Sequence, residues 1–245
     1  MRTVRLLLAV IAAILFAAPA IAVEQVDLLL VLASDVSRSV DAAKFKLQRD
    51  GYVAAMSNPR VIEAIQSGPR GRIAVCFVEW SGVGAQKVVI DWTMIDGAKA
   101  AQDFASQLDE AQRSFADRTS ISGGIDFAMA QLEHAPVQAA RRTIDVSGDG
   151  TNNSGRDVTA ARDEALAQNV TINGLVILSE QPLSWNADHT NPPGGLATYY
   201  RQNVVGGPAA FVMVAENFNT FGQAILNKLV AEVAAADGAR QTAAE

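Results

Sequence analysis

Residues 26–41 read VDLLLVLASDVSRSVD, and the fold turns on this stretch. Its first half, Leu28 to Ala33, is an unbroken apolar run. A strand covered on one face alternates apolar with polar residues. A strand covered on both faces, as in a parallel sheet lying under helices, does not. The second half sets Asp35, Ser37 and Ser39 at alternate positions and then passes into a helical pattern. Oxygen-bearing side chains just beyond such a strand collect at the carboxyl edge of the sheet, where open α/β sheets place their ligands.

Downstream, residues 41–56 have helical spacing, with Phe45, Tyr52 and Met56 on one face, Lys44, Lys46 and Arg49 elsewhere, and Ser39 or Asp41 as the cap. Asn58-Pro59 breaks the chain, and Val61, Ile62 and Ile65 suggest a short second helix before Gly68-Pro69. Residues 72–80 and 87–94 read as two strands of a hairpin around Ser81-Gly82-Val83-Gly84. Helices are expected at 96–113, 121–132, 154–168, 196–202 and 218–233, the last with Phe221, Ile225, Leu229 and Val233 on one face. Strands are expected at 142–146, 170–178 and 209–214, the first of them ending in the sharp polar turn Ser147-Gly148-Asp149-Gly150. Residues 179–195 look irregular, with three prolines and two glycines. The alternation predicts a doubly wound, mainly parallel six-stranded sheet with one antiparallel edge strand and helices on both faces.

Upstream of the first strand, residues 1–22 read as a secretory signal: Arg2 and Arg5, an apolar run from Leu6 to Ala18, and a small-x-small site at Ala20-Ile21-Ala22. The rival reading is an uncleaved anchor, but the run is short against the roughly 20 residues a span requires. Cleavage would leave Val23 first, a domain over 23–235 and a frayed tail over 236–245. No twin-arginine pair precedes the run and no cysteine follows it, so the expected location is periplasmic or secreted, without a lipid anchor. No later segment is long and apolar enough to span a membrane. Losing Arg2 and Arg5 takes the formal charge from −6 to −8. A moderately acidic chain is a poor nucleic-acid binder, since phosphate neutralisation needs clustered Lys and Arg. Cys76, the only cysteine, lies in the apolar run IAVCFV and reads as a buried small hydrophobe.

Three strand ends or loops carry hard oxygen groups: Asp35, Ser37 and Ser39; Thr119; and Asp149. The first and last fall at the same predicted sheet edge, and the loop holding Thr119 can reach it. Hydroxyls and carboxylates without histidine or cysteine suit Mg²⁺, Ca²⁺ or Mn²⁺ and not zinc or copper. If either carboxylate acts through water, the ion keeps positive charge toward solvent and attracts an outside carboxylate. The start of the helix near Val40 opposes a cation by roughly 0.3–1 kcal/mol, so the carboxylates are needed.

Asp35-x-Ser37-x-Ser39, followed by Thr119 in RTSISGGIDFA and by Asp149-Gly150 after a strand, resembles the metal-ion-dependent adhesion site of von Willebrand factor type A (vWA) domains. The segments IDVSGDGTNNSG and YYRQNVVGGPAAFV are similar to an exported bacterial branch of that fold with no assigned function. The resemblance implies that Ser37, Ser39 and Thr119 bind the ion directly, that Asp35 and Asp149 act directly or through water, and that an Asp or Glu of a protein or peptide partner completes the shell. Gly148 departs from the pattern, since many vWA domains carry threonine there. Asn152-Asn153 and the 179–195 stretch also lie outside the general motif.

Other polar residues have two readings each. Glu79 is either an acceptor near the ion that holds one of its ligands or a solvated strand end. Asp145, within an apolar strand, needs a partner, which Arg72, Arg141 or Arg142 can supply. Trp185, His189, Tyr199 and Tyr200 build a partner surface or pin the long loop to the body. A serine hydrolase needs a histidine base, and only His134 and His189 exist, with no Gly-x-Ser-x-Gly elbow. An aspartyl phosphatase would want a second aspartate where Ser37 stands, and no phosphate-cradling Gly-x-x-x-x-Gly-Lys loop exists. The expectation is a non-enzymatic binding module. The alternatives are a metal-dependent hydrolase or a periplasmic small-ligand-binding protein.

Overall fold

The computed structural model describes residues 23–179, 183 and 186–234. The expected signal (1–22), the expected tail (236–245) and Trp185 lie outside the described residues.

All eight residues of β1 (Leu28–Asp35) are buried, as the unbroken apolar run requires. Its side chains alternate between two cores: Leu28, Leu30 and Leu32 face one layer, Leu29, Val31 and Ala33 the other. Fully burying one such leucine contributes about 1.5–3 kcal/mol, so β1 is worth several such increments on each side of the sheet.

The chain continues through α1 (Ala42–Met56), α2 (Pro59–Ser67), β2 (Ile73–Trp80), β3 (Gln86–Ile95), α3 (Ala98–Glu110), α4 (Ile121–Glu133), β4 (Arg141–Gly148) and α5 (Val158–Ala167). It then runs through β5 (Thr171–Ile177), α6 (Ala187–Thr190), α7 (Leu196–Asn203), β6 (Val212–Ala215), one 3₁₀ turn (Phe218–Thr220) and α8 (Phe221–Ala234). The strand order is β3-β2-β1-β4-β5-β6, with only β3 antiparallel to its neighbour. Helices α1, α2, α3 and α8 supply Tyr52, Ile65, Phe104 and Ile225 to one core, and α4, α5 and α7 supply Ile125, Ala161 and Tyr200 to the other. The predicted fold class is the observed one. Strand order reverses between β1 and β4, so the crevice at their carboxyl ends is the place for a ligand in such a sheet.

Three boundaries moved for identifiable reasons. β4 runs on through Ser147 and Gly148, because these pair with Ser34 of β1 and Val176 of β5 and do not turn. α5 starts at Val158, capped by Asp157, because residues 151–153 are committed to hydrogen bonds elsewhere. α3 stops at Glu110, and Arg113 reaches instead to the carbonyls of Val36 and Ser37 at 2.7 and 3.0 Å.

Charged residues were the main surprise. Arg49 is buried and pairs with Glu79, which is itself fully buried and accepts from the Ser114 backbone N–H at 2.8 Å. Glu79 is therefore not a solvated strand end: its carboxylate is taken up by Arg49 and the Ser114 backbone, and α1 turns one cation inward. Asp145 is fully buried, but its partner is none of the three arginines proposed for it. Lys228 of α8 stands 2.7 Å away, and the same ammonium meets Glu232 at 2.5 Å. Burial, and then the nearby Glu232, push the Asp145 carboxyl up to about 7. Helix α8 also presses closely on α1: a Cβ on Gly51 would fall 2.6 Å from the Phe221 ring and 3.0 Å from the Gly222 Cα. Cys76 is buried and unpaired, as expected.

Candidate metal centre

Asp35 is the last residue of β1, and its Oδ1 accepts from the Ser37 backbone N–H at 2.7 Å, closing a turn that brings Ser37 and Ser39 over the strand end. Arg113 holds that turn through its two carbonyl contacts, and Asp41, not Ser39, caps α1 by accepting from Lys44 N at 2.9 Å. Ser39 is thus left free for the site. Asp149 directly follows β4. Thr119 precedes α4, and its backbone N–H donates to Asn153 Oδ1 at 3.0 Å while its carbonyl accepts from the N–H groups of Asn153 and Ser154. The five residues singled out in the sequence meet in one buried cluster, none more than 7 % exposed.

Their hydroxyls form a one-way chain. Thr119 Oγ1 donates to Ser37 Oγ at 3.1 Å, Ser37 and Ser39 are 3.2 Å apart, and Ser39 Oγ donates to Asp149 Oδ1 at 2.5 Å. The carboxylates are less well served. Oδ2 of Asp35 and Oδ2 of Asp149 are buried without a hydrogen-bond partner among the described residues. Lys44 stays 3.8 Å from Asp149 Oδ2 and gives its hydrogen bond to the Ser39 carbonyl at 2.8 Å. Burial and the neighbouring Asp149 push the Asp35 carboxyl up to about 7, and burial raises Asp149 as well. Two buried acids side by side with idle oxygens are missing positive charge.

Among the described residues no group of three or more His, Cys, Asp or Glu gathers. A cation here would be held by two carboxylates and three hydroxyls, a donor set for a hard divalent ion. The lone pairs now spent within the hydroxyl chain are the ones such an ion would use.

The sequence did not assign His189, Asn153 or Tyr200 to the site. His189, in α6, is 3 % exposed with Nε2 3.2 Å from Thr119 Oγ1. Asn153 is oriented by Thr119 N, so its amide nitrogen faces His189 Nδ1 at 3.4 Å, and Thr151 Oγ1 stands 3.2 Å from the same ring nitrogen. Burial lowers the imidazole's proton affinity. Tyr200 is fully buried, and Tyr199 accepts from Asn152 N at 3.1 Å, so these loop aromatics pin the loop to the body. The sequence singled out His189 with the loop aromatics, and Asn152-Asn153 as a polar pair, but the contacts of His189 and Asn153 with Thr119 were not legible.

Beside Ser39 and Thr119 the surface opens into a cleft of about 320 Å³, with exposed Arg38 and Arg118 on its wall together with Asp117 and Asn186. Ser39 and Thr119 thus border an open cleft.

A sequence profile described as a protein of unknown function (DUF1194) matches residues 25–237. The chain belongs to the DUF1194 family. No curated protein matches this DUF1194 chain in sequence. Among solved structures, proximal thread matrix protein 1 from the mussel byssus is similar at 12% identity and TM-score 0.59, covering 86% of this chain and 47% of that one. Another crystal structure of the mussel protein, described as having a zinc-occupied MIDAS motif, matches at 14% identity and TM-score 0.55, covering 84% and 45%. The pilus adhesin SpaC from Lactobacillus rhamnosus GG matches at 12% identity and TM-score 0.61, covering 86% and 31%. A von Willebrand factor type A structure from Catenulispora acidiphila matches at 16% identity and TM-score 0.53, covering 85% and 42%. The DUF1194 chain has the vWA fold, and it spans less than half the length of each of these structures.

Proposed function

We propose that this DUF1194 protein is a binding module that holds a divalent cation between Asp35, Ser37, Ser39, Thr119 and Asp149 and uses it to engage an acidic group of a protein or peptide partner. The observation that carries this is the pair of buried, unpartnered carboxylate oxygens set among three hydroxyls at the switch point of the sheet. The all-oxygen donor set favours Mg²⁺, with Mn²⁺ or Ca²⁺ as substitutes. A vWA relative described with zinc in its MIDAS motif supports divalent binding in general. Arg38 and Arg118 beside the cleft add charge that favours an acidic partner. No helix among the described residues is long and apolar enough to cross a membrane. With residues 1–22 read as a signal and 23–235 as the domain, the module would work in the periplasm or outside the cell.

Isothermal titration of the purified chain with Mg²⁺ and Mn²⁺ tests the ion, with Asp149→Ala as the control expected to lose binding. Affinity capture from envelope extract, washed with and without chelator, tests the partner. Identical captured proteins in both washes would remove the cation from recognition.

A further inference from the structure

Near this site two buried polar atoms without partners look into the same gap. The hydroxyl of Tyr200, on α7, has no hydrogen-bond partner among the described residues, and neither has Oδ2 of Asp35. The gap is kept open by Gly148: a Cβ at that position would fall 2.5 Å from Tyr200 Oη and 3.1 Å from Asp35 Oδ2. Gly148 lies in β4 beside β1, so the missing side chain is what lets a phenol from the far helix approach the end of β1. Buried tyrosine hydroxyls usually find a partner. The other oxygen of Asp35 is already engaged by Ser37 N at 2.7 Å.

We propose that Tyr200 is a positioning residue of the ion site, its hydroxyl donating to Oδ2 of Asp35 so that the carboxylate is held in one rotation when a divalent ion is bound. The proposal rests on the reading of the site as a cation site. A tyrosine hydroxyl carries one O–H donor, and an ionised carboxylate oxygen can only accept, so the phenol is the donor of the pair. With Oδ1 tied to the turn and Oδ2 tied to α7, Asp35 can offer its remaining lone pairs in one direction only. Partners that orient a metal ligand in this way typically change affinity by about 10–100-fold.

Three variants of the full chain test this by Mg²⁺ titration calorimetry, with thermal unfolding in chelator as the measure of the metal-free fold. Tyr200→Phe removes only the hydroxyl. It is expected to leave the metal-free midpoint unchanged and to weaken Mg²⁺ binding about 10–100-fold. Gly148→Ser in the Tyr200→Phe background puts a hydroxyl within reach of Oδ2 in the space the phenol oxygen vacates, and part of the lost affinity should return. Gly148→Ser alone crowds Tyr200 Oη and should bind worse than the wild type. If Tyr200→Phe binds Mg²⁺ as the wild type does, or if the double variant folds and recovers nothing, Tyr200 only packs and the positioning role is overturned while the cation site stands. If the wild type itself binds neither Mg²⁺ nor Mn²⁺, both readings fall together.

Discussion

Replacing Asp35 with asparagine should move the stability of this protein in opposite directions depending on whether a divalent ion is present. Without the ion, Asp35 is a fully buried acid beside a second buried acid, and its carboxyl is pushed from 3.8 up to about 7. Each pKa unit is worth 1.36 kcal/mol, so ionised Asp35 costs the metal-free fold on the order of 4 kcal/mol above pH 7, a figure shared with Asp149 because the two titrate as a pair. The sign follows from linkage. A carboxyl whose folded pKa is raised adds no penalty below about pH 4, and stability drains away as pH rises toward 7. Asparagine removes the charge and can still accept from Ser37 N, but it brings an amide that needs partners of its own. A net gain of about 2 kcal/mol is expected at pH 8, which for a domain of this size is about 4–8 °C in thermal midpoint. With the ion at a hundredfold excess over its Kd, the wild type gains about 2.7 kcal/mol and the variant, short of one ionic ligand, gains little. Thermal unfolding of both proteins at pH 8, in chelator and in saturating Mg²⁺, reads the two arms. An Asp35→Asn protein less stable than the wild type in chelator would show that the two carboxylates are not in conflict, and the case for a missing cation would fail with it.

The same acids set the pH dependence of binding. Protons compete with the ion for Asp35, so Mg²⁺ affinity measured by calorimetry should fall as pH drops below about 7, by up to tenfold per pH unit for one proton displaced. Ser37→Ala and Ser39→Ala each remove a neutral ligand and should weaken Mg²⁺ binding less than Asp149→Ala in the same titration. Lys228→Met should cost about 3–5 kcal/mol in urea unfolding at pH 8, because it leaves Asp145 and Glu232 buried without their cation. That loss should shrink toward pH 5, where the Asp145 carboxyl is protonated.

The sheet could be read from the chain because its strands are short and largely apolar, and β1 in particular has no polar interruption from Leu28 to Ala33. Four of the five oxygen side chains were legible for a related reason, since Asp35, Ser37, Ser39 and Asp149 fall at or just past strand ends, where the apolar pattern breaks; Thr119, in the loop before α4, was picked out by the resemblance to the vWA motif. Burial of charge was not legible. Arg49 has the helical position of a surface residue, and only Glu79, brought in by β2, explains its inward turn. Asp145 looked for its partner among nearby arginines, but the partner comes from α8, much later in the chain, where Lys228 sits next to the apolar face of an amphipathic helix. His189 and Tyr200 follow β5 in a region of prolines and glycines, and their places depend on how that loop folds back over β4. No local periodicity encodes such a return.

The seating of α8 decides how news of an ion could travel. To slide along the sheet, that helix would have to drag the Lys228 ammonium out of a dry interior and away from both of its carboxylates while Phe221 and Gly222 scraped across the bare backbone of Gly51. Each half of that move is expensive, and the two must happen at once. The helix is an anchor, and any freedom near the site belongs to the opposite flank, where the chain after β5 meets it through the His189 imidazole, 3.2 Å from Thr119 Oγ1.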